Sequence, residues 1–173
     1  MRDPEAGRGP TPRCALPVGA TVRSMRLATR QTTRLSRVFR LADQEAARDD
    51  AARLGTAHLL LALVRDEHEH GGRLADRVDV GEVRAEVARR PFRTGGTGRR
   101  AWTPAAVAAV DVALRAAEQA GGEPVVGVRH LLLGVLADEA DDAAAVLRAL
   151  DVDVADLVDG ARADLGADIA VLH

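Results

Sequence analysis

LGTAHLLLALV spans residues 54–64 and VGVRHLLLGVL spans residues 126–136. A glycine, a histidine and three leucines recur in the same register, so the chain repeats itself. The segment HLLLALV is apolar on nearly every side, and a helix of that kind belongs in the middle of a bundle. One copy has too little surrounding chain to bury such a helix, whereas two copies packed together have enough.

Working outward, each phrase sits in the same surroundings. Upstream of the first, Leu35, Val38, Ala42 and Ala46 fall on one face of a helix. Thr32 or Thr33 is its expected N-cap, and the helix is expected to reach about Ala52. Gly55 then breaks the chain and Thr56 caps the central helix. The polar DEHEHGG at 66–72 reads as a loop, followed by a short helix at about 73–78 and a fourth helix, VGEVRAEVARR, capped by Asp79. PFRTGGTGRRA, residues 91–101, reads as a linker.

The pattern then restarts. WTPAAVAAVDVALRAAEQA repeats the long helix, with Thr103 as cap and Pro104 in the first helical position. DDAAAVLRAL matches the third helix, and DVADLVDGARADL matches the fourth, with Asp153 as cap. The offset between copies is 71 residues at the first helix and 72 at the second. The expected fold class is all-α: two tandem pseudo-symmetric four-helix repeats, residues 30–90 and 102–165, packed into one eight-helix domain. Residues 1–29 read as a disordered basic leader and 166–173 as a short tail.

Composition agrees. Of the 173 residues 47% are hydrophobic and only 2% aromatic, so the core is expected to be aliphatic. All 24 basic side chains are arginine, and without lysine there is no residue for Schiff-base chemistry. Net charge is −2, yet residues 1–40 hold nine Arg against two acids, and residues 137–173 hold ten acids against two Arg. The arginines of the leader lack interleaved aromatics, so nucleic acid is not an expected partner. A single cysteine, Cys14, excludes an internal disulfide and a Cys-based zinc site. No apolar run reaches membrane-spanning length, and the expected location is cytoplasmic.

Thr32, LGTAHLLLALV and EVRAEV in the first copy, and WTPAAV, VGVRHLLLGVLADE and VLRALDVDVADL in the second, resemble the N-terminal repeat domain of Clp ATPases, particularly the ClpC type. The resemblance covers roughly residues 30–165. It implies a docking surface for adaptors and substrates, and no cofactor. No G-x-x-x-x-G-K-[ST] phosphate loop occurs, so the expectation is a free-standing N-domain without the ATPase modules, not an enzyme. Its expected partners are a Clp ATPase or its adaptors and substrates, with modulation of proteolysis as the outcome. The alternative is a decoy that sequesters cyclic-peptide small molecules.

In the ClpC type the resemblance further implies phosphoarginine pockets, in which a glutamate of Gly-Thr-Glu-His pairs with the guanidinium group and a threonine at the start of the first helix assists. Thr32 and Thr103 match those threonines, but Ala57 and Arg129 stand where the glutamates would be. Losing that charge-assisted pair costs roughly 1.5–3 kcal/mol. Arg129 has two readings: drift on a surface, or a specificity changed toward acidic groups. Trp102 likewise reads either as a staple fixing the linker or as the rim of a binding groove. His58 and His130 read as structural residues that bond a neighbouring loop. His68 and His70 are too close in sequence to enclose a metal, and no metal site is expected.

Overall fold

A computed structural model describes residues 31–91, 100–119 and 125–171. The expected leader 1–29 with Cys14, and most of the expected linker, residues 92–99, lie outside the described residues. Repeat one contributes α1 (Thr33–Arg48), β1 (Arg53–Leu54), α2 (Thr56–His70) and α3 (Val80–Ala88). Repeat two contributes β2 (Ala101–Trp102), α4 (Pro104–Gln119), α5 (Val128–Val135), α6 (Asp142–Ala149) and α7 (Val154–Val171). The fold is all-α, with seven helices among the described residues rather than the expected eight. None of them is long and apolar enough to cross a membrane.

The helix starts follow from local chemistry. Thr32 Oγ1 accepts from the Leu35 N–H at 3.1 Å, and Thr103 Oγ1 accepts from the Ala106 N–H at the same distance. Each hydroxyl satisfies a donor that a first turn leaves without an intrahelical partner. Asp79 and Asp153 cap α3 and α7 in the same manner. Gly55 and Gly127 have no side chain to offer, and the ring three residues on serves instead. His58 Nδ1 and His130 Nδ1 each accept the glycine N–H at 3.1 Å. Both histidines are therefore structural caps.

The helix ends differ from expectation. α1 stops at Arg48, short of Ala52, because Asp50 turns left-handed at φ 49°. Ala51 N–H then reaches Ala46 C=O at 2.9 Å and Asp50 N–H reaches Ala47 C=O at 3.2 Å. This is a Schellman closure with aspartate in glycine's customary place. Asp151, at φ 57°, closes α6 with the same pair of bonds. α7 runs on through the expected tail to Val171.

The expected loop 66–72 is also corrected. Asp66 to His70 are the last turn of α2, and Asp66 and Glu67 are buried. Arginine and backbone donors make this tolerable. Arg34 Nε lies 2.5 Å from Asp66 Oδ2, and the Leu74 N–H donates to Glu67 Oε2 at 2.8 Å. The expected helix at 73–78 is a single turn over 73–77, in which Leu74 C=O accepts from both Arg77 and Val78. His68 Nε2 lies 2.8 Å from Val78 C=O and His70 Nδ1 lies 2.8 Å from Asp66 C=O.

The repeats interlock through their backbones. β1 pairs in parallel with β2, Leu54 opposite Trp102, and the Thr103 N–H donates to Leu54 C=O at 2.9 Å. Gln31 pairs with Val126 in the same sense, and the Thr32 N–H donates to Val126 C=O at 3.1 Å. The segment leading into each long helix thus pairs with the segment leading into the other repeat's central helix. Phe39 of α1 meets Trp102 edge to face, ring centres 5.3 Å apart. α2 lies at the centre, against α1, α3, α4, α5 and α6, and its residues Thr56–Val64 are all buried. One aliphatic core spans both repeats.

Two features of this packing are sharp enough to test. A Cβ placed on Gly134 of α5 would lie 2.0 Å from Ala109 C=O of α4, so only glycine permits the approach. Gly134→Ala is expected to destabilise by about 1–3 kcal/mol in urea unfolding, despite its better helix propensity. Gly166→Ala in α7, where nothing lies within 4 Å, is the control and should hold or raise stability.

The second concerns His58, whose side chain has no exposed surface. Burial, reinforced by the Arg100 charge, pushes the imidazole down to about 4. With Nδ1 accepting from Gly55, the neutral ring carries its proton on Nε2, which lies 3.6 Å from Asp49 Oδ2. Below pH 6.5 the unfolded chain takes up a proton that the folded chain refuses until pH 4, so stability falls as pH falls through that window. The contribution reaches at most about 3 kcal/mol. In His58→Gln the slope of unfolding free energy between pH 6.5 and 4 should flatten by that order; an unchanged slope refutes a neutral buried ring.

Candidate functional site

The shared caps make the two repeats comparable position by position, and one comparison separates them. Ala57 of α2 and Arg129 of α5 occupy equivalent places, each two residues after the capping glycine. Ala57 has no exposed surface and belongs to the core cluster, so it presents nothing to a ligand. Arg129 is exposed. In repeat two α6 is a full helix that packs against α2, whereas repeat one has only the turn 73–77 in the corresponding place.

The shorter turn leaves a cleft of about 400 Å³ where the repeats meet. Arg34 of α1, Glu67 of α2, Arg73 of the turn, Arg129 and Leu132 of α5, and Asp164 of α7 line it. Arg73 grips Asp164 with both fork nitrogens, each bond 2.9 Å, and this hydrogen-bonded pair holds the Asp164 carboxyl below its ordinary value. Gly160 makes room for that guanidinium, since a Cβ there would lie 2.7 Å from Arg73 Nη1. Arg77 ties the same turn to Asp156 of α7 at 2.5 Å.

Glu67 forms the buried floor. Burial pushes its carboxyl up, while the Leu74 N–H and the charges of Arg34 and Arg129 oppose the rise. Three guanidinium groups and three carboxylates, those of Glu67, Asp76 and Asp164, line the site; Arg73 bonds Asp164, Arg34 bonds Asp66, and Glu67 accepts from a backbone amide. Arg129 stands in the second residue of α5, at the positive end of the helix dipole, which disfavours a cation and favours an anion beside it. Val128, Leu132 and Ala161 add aliphatic surface to the cleft.

The expected site residues are thus partly brought together. Thr32 lies beside Arg129's helix, its Cγ2 3.9 Å from a Cβ position on Gly127, and Thr103 lies equally close to Gly55. Each threonine accompanies the central helix of the other repeat, a pairing across repeats that sequence offsets did not reveal. Trp102 is half-buried against Phe39. Arg34, Glu67 and Arg73 were not singled out from sequence. Arg34 carried no signal of its own, and Glu67 and Arg73 lie in the DEHEHGGR stretch, which looked solvated because its partners lie outside it. Among the described residues no three His, Cys, Asp or Glu side chains converge as metal ligands.

Residues 15–78 match the family described as the Clp repeat (R) N-terminal domain, a match that begins within the expected leader and ends before α3. No curated protein sequence matches the chain. Among solved structures, the N-terminal domain of the caseinolytic protease associated chaperone ClpD from Arabidopsis thaliana is similar at a TM-score of 0.68 and 19% identity, covering 86% of this chain and 99% of that one. The Hsp104 N-terminal domain from Candida albicans is similar at a TM-score of 0.64 and 16% identity, covering 76% of this chain and 89% of that one. At these identities the likeness is one of fold, and it extends over both repeats. Residues 15–78 match the Clp repeat N-terminal domain family, and the chain as a whole has the all-α fold of the Clp N-terminal domains.

Proposed function

We propose that this protein is a non-catalytic interaction module of the Clp ATP-dependent protease system, which binds an unfoldase, adaptor or substrate and modulates proteolysis. The observation that carries this reading is the asymmetry of the two equivalent positions, one sealed as Ala57 and the other opened as Arg129 in a cleft between the repeats. The open position has arginine where the resembling family has glutamate, so the partner group it suits is acidic. A carboxylate is the natural partner of a planar guanidinium, and such a pair contributes about 1.5–3 kcal/mol.

The test is a degradation assay with a Clp ATPase–protease and a fluorescent model substrate. Adding the purified chain should change the rate, and the chain should retain Clp components in a pull-down. Arg129→Glu should weaken the effect by about ten- to a hundredfold in concentration dependence. No change of rate together with no retained Clp component would refute the module; an unchanged Arg129→Glu curve would move its docking away from this cleft.

A further inference from the structure

α7 is anchored in the core by its first half. Val154, Leu157 and Ala161 are buried, whereas from Arg162 to Gly166 every residue is exposed or half-exposed. The helix nevertheless continues to Val171. Among the described residues, its side-chain hydrogen bonds past Ala161 to another element are the two 2.9 Å bonds from Arg73 to Asp164. The charge of Arg129 on α5 also favours the ionised Asp164 carboxyl. Both members of the bidentate pair reach solvent, the Arg73 side chain by 45% and that of Asp164 by 30%.

This overhanging half is a wall shared by two cavities. Asp164 lines the cleft between the repeats, while Arg162, Leu165 and Gly166 line a groove of about 680 Å³ between α4, α5 and α7. Gly160 stands where the anchored half meets the overhanging one, against the Arg73 guanidinium, and Gly166 lies within the overhang. Both glycines lower the intrinsic stability of the helix there. With no core residue among those described, the overhang depends on its tether for its position.

We propose that the Arg73–Asp164 pair is a latch on the overhanging half of α7, and that an outside oxyanion taking the fork of Arg73 releases it and alters both cavities together. The fork already shows the chemistry it accepts, since a carboxylate occupies it through both oxygens. A phosphate, or a second carboxylate, presents the same pair of acceptors. Arg77, on the same turn as Arg73, pairs with Asp156 in the anchored half of α7. Release therefore frees the end of α7 and leaves the turn and the core in place. Because one helix end borders both cavities, an anion bound in the cleft changes the groove without a route through the core. The latch stands on the geometry of the chain and does not depend on action in the Clp system.

Hydrogen exchange of the whole chain, read by mass spectrometry over residues 162–171 at one pH, tests this. Arg73→Gln and Asp164→Asn should each speed exchange there by about two- to fivefold, the scale of a partly exposed ion pair. The double variant should be no faster than either single one, because all three remove the same interaction. Arg77→Gln is the control: it breaks the neighbouring pair with Asp156 and should leave residues 162–171 unchanged. Replacing chloride by inorganic phosphate at constant ionic strength should speed exchange in the parent by about twofold or more and leave Arg73→Gln unmoved. The sign is diagnostic, since phosphate otherwise favours burial and slows exchange. Additive effects of the two single substitutions, an equal response to Arg77→Gln, or exchange no faster in phosphate than in chloride would overturn the proposal.

Discussion

Two backbone hydrogen bonds that cross between the repeats organise the rest of the molecule: Thr32 N–H to Val126 C=O and Thr103 N–H to Leu54 C=O. Each threonine spends its main-chain donor on the other repeat and its hydroxyl on its own helix. One residue thereby fixes where a long helix begins and where it stands relative to the partner repeat's central helix. Paired segments of two residues are far too short to hold together alone. The packing of five other helices around α2 supports them.

That shared frame carries unlike chemistry in its two halves. In repeat one the buried Glu45 of α1 is held by Arg65 of α2 and Arg84 of α3, whereas the equivalent positions, 71, 72 and 74 residues on, are Ala116, Ala137 and Val158. A buried ion triad is seldom a net gain over packed aliphatic groups, because two or more charges must leave water before they meet. Exchanging it for three aliphatic residues therefore need not cost the fold, and it leaves space instead of contact. The same logic separates Ala57 from Arg129. A whole helix, α6, packs against α2 in one half, and a single strapped turn takes its place in the other. Pseudo-symmetry of backbone, with asymmetry of cover, gives one small domain two distinct clefts.

What could be read from the chain divides along the range of the interactions. The caps at Thr32, Asp79, Thr103 and Asp153 were legible because a cap is made by residues three apart or fewer. The apolar phrase at 58–64 announced its own burial. The C-terminal ends were not legible, since Asp50 and Asp151 take a backbone conformation that usually announces itself as glycine. Asp66 and Glu67 looked solvated because their partners, Arg34 and the Leu74 amide, lie 32 and 7 residues away. The inter-repeat cleft was half legible: Arg129 stood out as a departure from a resembling pattern, while Arg34 and Arg73 carried no signal of their own.

By itself the amino-acid sequence determined that the chain is helical, duplicated and centred on two apolar helices, because periodicity and capping are matters of a few neighbouring residues. Only the tertiary structure decided which threonine attends which central helix, which of two equivalent positions meets solvent, and which of two equivalent angles between helices is filled. Those outcomes depend on side chains brought together from 32 to 91 residues apart, as Arg34 with Asp66 and Arg73 with Asp164 are. No local pattern encodes a contact whose other half lies in a different repeat.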